Sequence, residues 1–425
     1  MNVLVLGGGG REHALCWSLL RAPSKPRLFI LPGNGGTALL GTNIAGDPSN
    51  VKLALEVARR EDIDLTIVGS EEPLAAGIVD AFQAAGLRVF GPSRQAARLE
   101  SDKSFAKQLM RQQALPTADA RVFTDYRLAH EYIAARDEPL VIKAAGLCKG
   151  KGVVVCSDPA EALLWAERML AQRVFGEAGA KIVVEERLVG REASVLAIVD
   201  GSTLLMLEPA QDYKRVADDD AGANTGGMGA VCPTDALDAA TLRQVESQIF
   251  VPILDGLLRE DVTYRGVLYA GLILTHAGPK VLEFNCRFGD PETQVVLMRL
   301  QSDLLELLDA ATRGTLDQAD VRWDPRAAVC VVLASGGYPG EYATNVPISG
   351  ADDDFGPDVA IFHAGTRRDA RRVVTTGGRV LGVTALGETR EAARARAYAA
   401  AERIAFDGRH YRRDIGAASR PRAAH

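Results

Sequence analysis

No stretch of the chain stays apolar for the roughly 20 residues that a membrane-spanning helix needs. Met1-Asn2-Val3-Leu4-Val5-Leu6 runs straight into a strand pattern, without the basic residues that begin a secretory signal. Cysteine is sparse and scattered: Cys16, Cys148, Cys156, Cys232, Cys286 and Cys330 form no CxxC pair. That excludes a disulfide framework or a zinc site and leaves free thiols, as in a reducing cytoplasm. Positive charge is not in excess, since 49 Lys and Arg face 55 Asp and Glu for a net −6. A broad nucleic-acid footprint is therefore not expected, although local phosphate sites remain open. Internal repeats and low-complexity tracts are absent. So are a GxSxG elbow and any histidine pair at metal-ligand spacing.

With 425 residues the chain exceeds the roughly 250–300 residues at which single cores stop growing. The first 90 residues alternate strand and helix patterns, which predicts a parallel sheet with its ligands at the carboxyl ends of the strands. Helices are expected at Arg11–Arg21, Val51–Arg60, Leu74–Ala85 and Ser93–Gln113. A smaller unit follows Pro116, with strands near Arg121–Phe123, Leu140–Lys143, Val153–Cys156 and Lys181–Glu185 and helices at Tyr126–Ala135 and Pro159–Ala171. Longer strands come next, at Val195–Val199, Leu204–Leu207, Val267–Leu274 and Lys280–Glu283. A polar loop is expected at Gln211–Gly229, with helices at Leu237–Leu258 and Thr293–Arg313. From Arg326 the pattern is strand-rich, with strands expected at Ala327–Leu333, Val359–His363, Arg371–Thr375 and Val380–Ala385, and closes with a helix at Glu391–Ile404. The residues from Arg420 to His425 read as a tail.

Gly7-Gly8-Gly9-Gly10-Arg11-Glu12-His13 lies between a strand and a helix, where backbone N–H groups and the helix end can meet an anion. It is not a dinucleotide fingerprint, because His13 or Glu12 stands where the third glycine belongs. The strand Arg27–Leu31 also lacks a terminal acid for a ribose, which argues against a dehydrogenase. A phosphate site on a substrate and a bare tight turn both remain open. His13 itself can cap or pack.

Lys103, Lys143, Lys149 and Lys151 form a basic series. Lys143 ends an apolar strand beside a loop with three glycines in seven residues, Gly146 to Gly152. Such a loop can close over phosphate, or it can be a solvated hairpin. It is not a Walker loop, since Gly152 follows Lys151. The run Glu185-Glu186-Arg187-Leu188 can offer adenine a backbone donor and acceptor, and Glu192 can hold ribose hydroxyls. Alone, the segment reads equally as a charged turn.

The sharpest pattern is Glu283-Phe284-Asn285-Cys286-Arg287. Strand residues two apart share a face, so Glu283, Asn285 and Arg287 are expected together, with Leu282 and Phe284 on the opposite, apolar face. Two oxygen ligands suit a Mg²⁺ held mainly through triphosphate, and the guanidinium suits phosphate or carboxylate. Gln211–Arg215 and Gly222–Ala230 read as substrate loops, or as disordered ones without ligand.

Taken in order, GGGGREHA (7–14), GPS (91–93), SDKSFAK (101–107), VIKAAGLCKGKGV (141–153), NTGGMGA (224–230), EFNCRFGDPETQ (283–294), SGGYPG (335–340) and RRDIG (412–416) closely resemble the ATP-grasp carboxylate–amine ligases, over essentially the whole chain. Within them the chain resembles the branch that joins glycine to 5-phosphoribosylamine, giving glycinamide ribonucleotide in purine (IMP) biosynthesis. Another ATP-grasp ligase or a carboxylase with a different acid is the alternative.

The resemblance implies an α/β chain in four parts: an N-terminal parallel-sheet domain (1–100), a small ATP-grasp lobe with lid (101–192), a large lobe with the metal site (193–322) and a β-rich C-terminal domain (323–425). It implies ATP with Mg²⁺ or Mn²⁺, and a cytoplasmic monomer or small homo-oligomer. Lys103 and Lys143 resemble the phosphate contacts, Lys151 and Gly152 part of the lid, Glu185, Glu186 and Leu188 the adenine hinge, and Glu192 the ribose carboxylate. Glu283 and Asn285 resemble the metal ligands, and Arg287 with Lys143 the catalytic cations. Gly9, Gly10 and Arg11, joined by Asp212, Lys214 and Asp290, resemble the phosphoribosylamine site. Ala145, Lys149 and Ala223 depart from the family's usual Asp, Ala and Pro. The strand Leu268–Leu272 carries no carboxylate for a second metal.

Overall fold

A computed structural model of the chain describes residues 1–148, 150–370 and 372–417. The tail at 420–425, Lys149 in the glycine loop and the expected strand start at Arg371 lie outside the described residues.

The N-terminal part is a five-stranded sheet in the order Thr42–Asn43, Arg27–Pro32, Asn2–Gly7, Leu65–Val68, Val89–Phe90. Every neighbouring pair in it is parallel. Its strands are apolar on both faces, as a sheet covered by helices requires. The expected helix at 74–85 is two helices, Glu71–Ala76 and Ile78–Ala84, broken at Gly77 with φ +85°. The expected helix at 93–113 is likewise divided. Arg98–Ser101 stops where Asp102 turns extended and caps Lys103–Gln112, its carboxylate accepting from Ser104 N and Phe105 N. The cap is local chemistry that periodicity does not see.

The next unit is an antiparallel sheet ordered Ala120–Phe123, Ile182–Glu186, Leu140–Ala144, Val153–Val155. Helices Tyr126–Ala134 and Pro159–Leu170 complete an apolar core of its own. Facing it is a second antiparallel sheet, Leu204–Met206, Arg191–Val199, Gly266–Thr275, Gly278–Asn285.

The last sheet is ordered Gln211–Asp212, Gly229–Cys232, Ala327–Ala334, Arg379–Gly387, Val359–His363. Its first two strands come from a segment expected inside 193–322, so chain order and sheet membership part company there. The expected polar loop at 211–229 contains these pairings and a small hairpin, Arg215–Ala217 with Ala221–Asn224. Its backbone groups find strand partners that a glycine-rich, polar sequence does not advertise. The 237–258 and 293–313 helices are interrupted too, the latter into Glu292–Arg299 and Leu304–Arg313, with Asp303 capping the second. One apolar cluster runs from Val3, Leu15 and Ile30 through Val295 and Leu307 to Cys330 and Phe362. The first sheet and the last are therefore joined through a common core.

Candidate active site

Lys143 is the penultimate residue of the Leu140–Ala144 strand and is buried. Its Nζ lies 2.9 Å from Glu185 Oε2 and donates to the carbonyl of Leu282 at 2.9 Å. Lys107, on the capped helix, lies 3.2 Å from the other oxygen of Glu185 and donates to Thr117 Oγ1 at 2.7 Å. Burial brings the Lys107 ammonium down to about 8, helped by the nearby Lys143 and opposed by Glu185. The side chain of Glu185 thus turns inward as the shared counter-ion of two lysines, away from the adenine hinge that the resemblance implies. Only its backbone remains for that task. Glu186 and half-buried Leu188 stay at the rim, where Glu186 lies 3.5 Å from Lys280 and accepts from Asp119 N.

Lys103 donates through Nζ to the Gly146 carbonyl at 3.2 Å, and its backbone N–H donates to Ala145 O at 2.8 Å. This ties the helix start to the glycine loop. Lys151 is exposed, and Gly152 is packed where a Cβ would meet Cys148 at 2.7 Å. At Gly150 a Cβ would stand 3.8 Å from the carbonyl of Thr225, so the loop lies over the Asn224–Ala230 segment.

The strand Gly278–Asn285 carries the acid–amide pair. Its register shifts between Gly271–Glu283 and Leu272–Val281. The bulge puts Leu282 out of step, half-buried rather than in the core as expected, while Val281 and Phe284 fill the apolar side. Bulges re-aim side chains in this way; here the displaced Leu282 carbonyl becomes the acceptor for Lys143. Glu283 is half-buried, 3.9 Å from Lys214 Nζ. Partial desolvation opposes ionisation, but Lys214, Lys143, Lys103 and Arg287 hold its carboxyl below the usual range. Asn285 Oδ1 accepts from Arg287 Nη2 at 3.2 Å. Arg287 lies beyond the strand end and is fixed by Glu100 Oε1 at 2.9 Å and Glu71 Oε2 at 3.2 Å. Burial and the adjacent Glu71 push the Glu100 carboxyl up to about 7 against the pull of Arg287.

Glu71 also accepts from Arg11 Nη2 at 2.8 Å, which links this region to the glycine turn. That turn holds buried Glu12, whose Oε2 accepts from Gly9 N at 2.6 Å. A Cβ at Gly7, Gly9 or Gly69 would come within 2.9 Å of Glu12 atoms, and one at Gly10 would stand 2.6 Å from Gln294 Nε2. Much of the glycine run therefore makes room for the protein's own side chains. Gly8 and Gly9 nevertheless line a cavity of about 300 Å³ with Asn34, Asp290, Thr366 and Arg379. Asp290 lies 3.5 Å from Arg379, accepts from Gln294 Nε2 at 2.9 Å and faces Arg11 N at 3.4 Å.

On the third side, Lys214 bridges Glu192 at 3.4 Å and Glu283. Its burial is overcome by Asp212, Glu192, Tyr269 and Glu283, which raise it well above the ordinary lysine value. The structure thus gathers Lys103, Lys143, Glu192, Asp212, Lys214, Glu283, Asn285 and Arg287 around one cleft. Gly9, Gly10, Arg11 and Asp290 lie at its adjoining end. Glu71, Glu100, Lys107, Glu292, Asn34 and Arg379 were not singled out from sequence. Lys107 and Glu292 lie inside the motifs SDKSFAK and EFNCRFGDPETQ, and Asn34 among the glycines at 33–36, which was the local signal that could have found them. His13 packs as a structural residue, its Nδ1 accepting from His363 N at 2.7 Å.

A lysine-bearing antiparallel lobe facing a second sheet, whose last strand ends in an acid, an amide and an arginine, defines an ATP-grasp ligase. Similarity to known proteins narrows this further. The N, ATP-grasp (A) and C domain models of phosphoribosylglycinamide synthetase match residues 1–100, 101–293 and 328–418. The chain belongs to the phosphoribosylglycinamide synthetase family. It is 49% identical over 422 residues to the phosphoribosylamine–glycine ligase of Rhodopirellula baltica, covering 97% of each chain. It is 47% identical to that of Vibrio cholerae, covering 98% of each. The solved phosphoribosylamine–glycine ligase of Thermotoga maritima superposes with a TM-score of 0.86 at 34% identity, over 97% of this chain and 100% of that one. A Campylobacter jejuni biotin carboxylase at 15% identity and a TM-score of 0.75, over 96% of this chain and 92% of that one, shares the fold. The ATP-grasp fold implies ATP and a divalent metal. Among the described residues, no helix is long and apolar enough to cross a membrane.

Proposed function

We propose that this protein is a phosphoribosylamine–glycine ligase, joining glycine to 5-phosphoribosylamine with conversion of ATP to ADP and phosphate in purine biosynthesis. The observation that carries this reading is the meeting of Lys143, Glu283, Asn285 and Arg287 at one strand end, beside the glycine-turn cavity. A carboxylate is a poor electrophile. In the first step a glycine carboxylate oxygen attacks the γ-phosphorus of ATP and the bond to ADP breaks. In the second, the free amine of phosphoribosylamine attacks the acyl carbon of glycyl phosphate. Phosphate departs with the bonding pair, and the amine loses a proton.

Lys143 and Lys103 hold phosphate oxygens, Arg287 neutralises charge on the transferring group, and Glu192 meets the ribose. The adenine lies against the Glu185–Leu188 backbone. The loop carrying Lys151 and Gly152 closes the cleft and keeps water from the acyl phosphate. Gly9, Gly10, Arg11 and Asp290 receive the phosphoribosyl substrate.

Among the described residues no three His, Cys, Asp or Glu side chains gather as a metal cage. The ionised Glu283 and the Asn285 oxygen suit Mg²⁺ or Mn²⁺ drawing its other ligands from phosphate and water. When bound, the metal neutralises triphosphate charge; orientation of the reactants remains the work of the lysines and Arg287. A cytoplasmic setting and a monomer or small homo-oligomer complete the reading.

A coupled ADP assay tests it. ADP release should require both glycine and freshly made phosphoribosylamine. Turnover with bicarbonate in place of glycine would contradict the assignment.

A further inference from the structure

We infer that Arg412, in the segment 410–416, is a positioning residue that sets Lys214 in the cleft through the hairpin of Arg215–Ala217 with Ala221–Asn224. The inference rests on the ligase reading of that cleft and adds to it a residue that acts through another.

A hairpin of three and four residues is too short to keep its shape alone. Its turn is also costly. Asp219 and Asp220 have φ +56° and +54°, a left-handed backbone that residues other than glycine keep only where neighbours impose it. Those neighbours lie on one segment 195 residues further along the chain. Asp218 Oδ1 accepts from Arg413 N at 2.7 Å, Asp219 N donates to Asp414 Oδ2 at 3.0 Å, and Asp220 Oδ1 lies 2.9 Å from Arg412 Nη1. Arg412 Nη1 also donates to the carbonyl of Arg215 at 3.1 Å, and His410 Nε2 to that of Val216 at 2.7 Å.

The segment is itself anchored. His410 and Ala334 exchange backbone hydrogen bonds at 2.9 and 2.8 Å. Tyr398, on the last helix (Arg390–Arg403), donates to Arg412 O at 2.7 Å. Arg412 is 1% exposed, is forked on Asp414 at 2.8 and 2.6 Å and stands over the Tyr213 ring. Tyr213 and Arg215, both held by this guanidinium, flank Lys214. Thr225 secures the Lys214 carbonyl through N and Oγ1, each at 2.8 Å. The ammonium of Lys214 then falls between Glu192 at 3.4 Å and Glu283 at 3.9 Å. A lysine side chain has many rotamers to lose, and a fixed root limits it to those that reach both carboxylates.

The test uses the full chain and reads ATP affinity by titration calorimetry with Mg²⁺, beside steady-state kinetics and urea unfolding. Arg412→Met should weaken ATP binding and lower kcat/KM for ATP, each about 10-fold or more. Lys214→Met should lose at least as much. In the Lys214→Met background, Arg412→Met should change either quantity by less than about threefold, because effects carried through one residue do not add. Asp220→Asn keeps a residue that tolerates the left-handed turn and decides the matter if Arg412→Met does not fold. It should weaken ATP binding about fivefold with Lys214 present and leave it unmoved in Lys214→Met. The inference is overturned if ATP affinity stays at the wild-type value in folded Arg412→Met or in Asp220→Asn. It is equally overturned if Lys214→Met loses less than Arg412→Met, or if the losses multiply, as they do for a residue that only stabilises its domain. A wild-type protein that binds no ATP would instead remove the ligase reading itself.

Discussion

Glu185 serves two buried ammonium groups, Lys107 and Lys143, and holds the second beside the Leu282 carbonyl. Removing one member of a buried charge cluster costs more than a surface ion pair, about 3–5 kcal/mol, because the remaining charges lose their partner. Glu185→Gln should lower the unfolding free energy by that amount and raise the ATP KM, whereas Glu186→Gln at the half-exposed rim should change stability by less than about 1 kcal/mol. Equilibrium unfolding of the two variants side by side makes the comparison. Glu283→Ala should reduce ADP formation on the order of 10³-fold, read by the coupled assay. An unchanged rate would remove Glu283 from the metal site. At this scale the sequence was legible where chemistry is local. Glu283 and Asn285 stand two apart on one strand, and Lys143 ends another. Glu71 and Glu100 were not legible. They clamp Arg287 across separations of more than 180 residues, and a glutamate on a helix looks alike whether it faces water or an arginine.

Among the secondary-structure elements, Asp102 has a double task. It caps the Lys103–Gln112 helix, and that helix start fixes Lys103 against Ala145 and Gly146. Loss of such a cap costs about 1 kcal/mol. Asp102→Ala should therefore lower stability by about that much and raise the ATP KM severalfold, while Asp125→Ala, capping the Tyr126–Ala134 helix, should change stability alone. Parallel ATP titrations and urea melts separate the two. Apolar periodicity located the longer helices and strands but ran across Gly77, Asp102 and Asp303, where a left-handed glycine or a capping carboxylate ends one element and begins another. The bulge at Leu282 was equally hidden, since register depends on the partner strand. The hairpin in 211–229 was hidden because its strands are short, polar and glycine-rich.

Across the whole molecule, the helix Gly10–Leu19 that follows the first strand meets the last sheet at His13 and His363. Burial, reinforced by the neighbouring His363 and Arg368, holds His13 well below the ordinary histidine value. Burial brings His363 down to about 4 against the opposing pull of Asp352. Both are neutral in the fold at pH 7. As pH falls below about 6.5 the unfolded chain binds protons that the folded chain does not, so stability declines through that window. His363 alone should contribute a loss of about 2 kcal/mol between pH 7.5 and 5. Urea midpoints over that range should fall with acidity, and His363→Gln should flatten the slope. The fold class was legible from the alternation of the first 90 residues and the strand-rich end. The entry of Gln211–Asp212 and Gly229–Cys232 into the last sheet was not, because it joins segments about 100 residues apart.

The central claim is that one strand end holds the metal-bound triphosphate between the two lobes. Anomalous diffraction from crystals grown with Mn²⁺ and a non-hydrolysable ATP analogue tests this directly. The account predicts a metal peak within about 2.2 Å of oxygens from both Glu283 and Asn285, with Lys143 and Arg287 turned toward the terminal phosphate. A triphosphate seated away from all four side chains would contradict it.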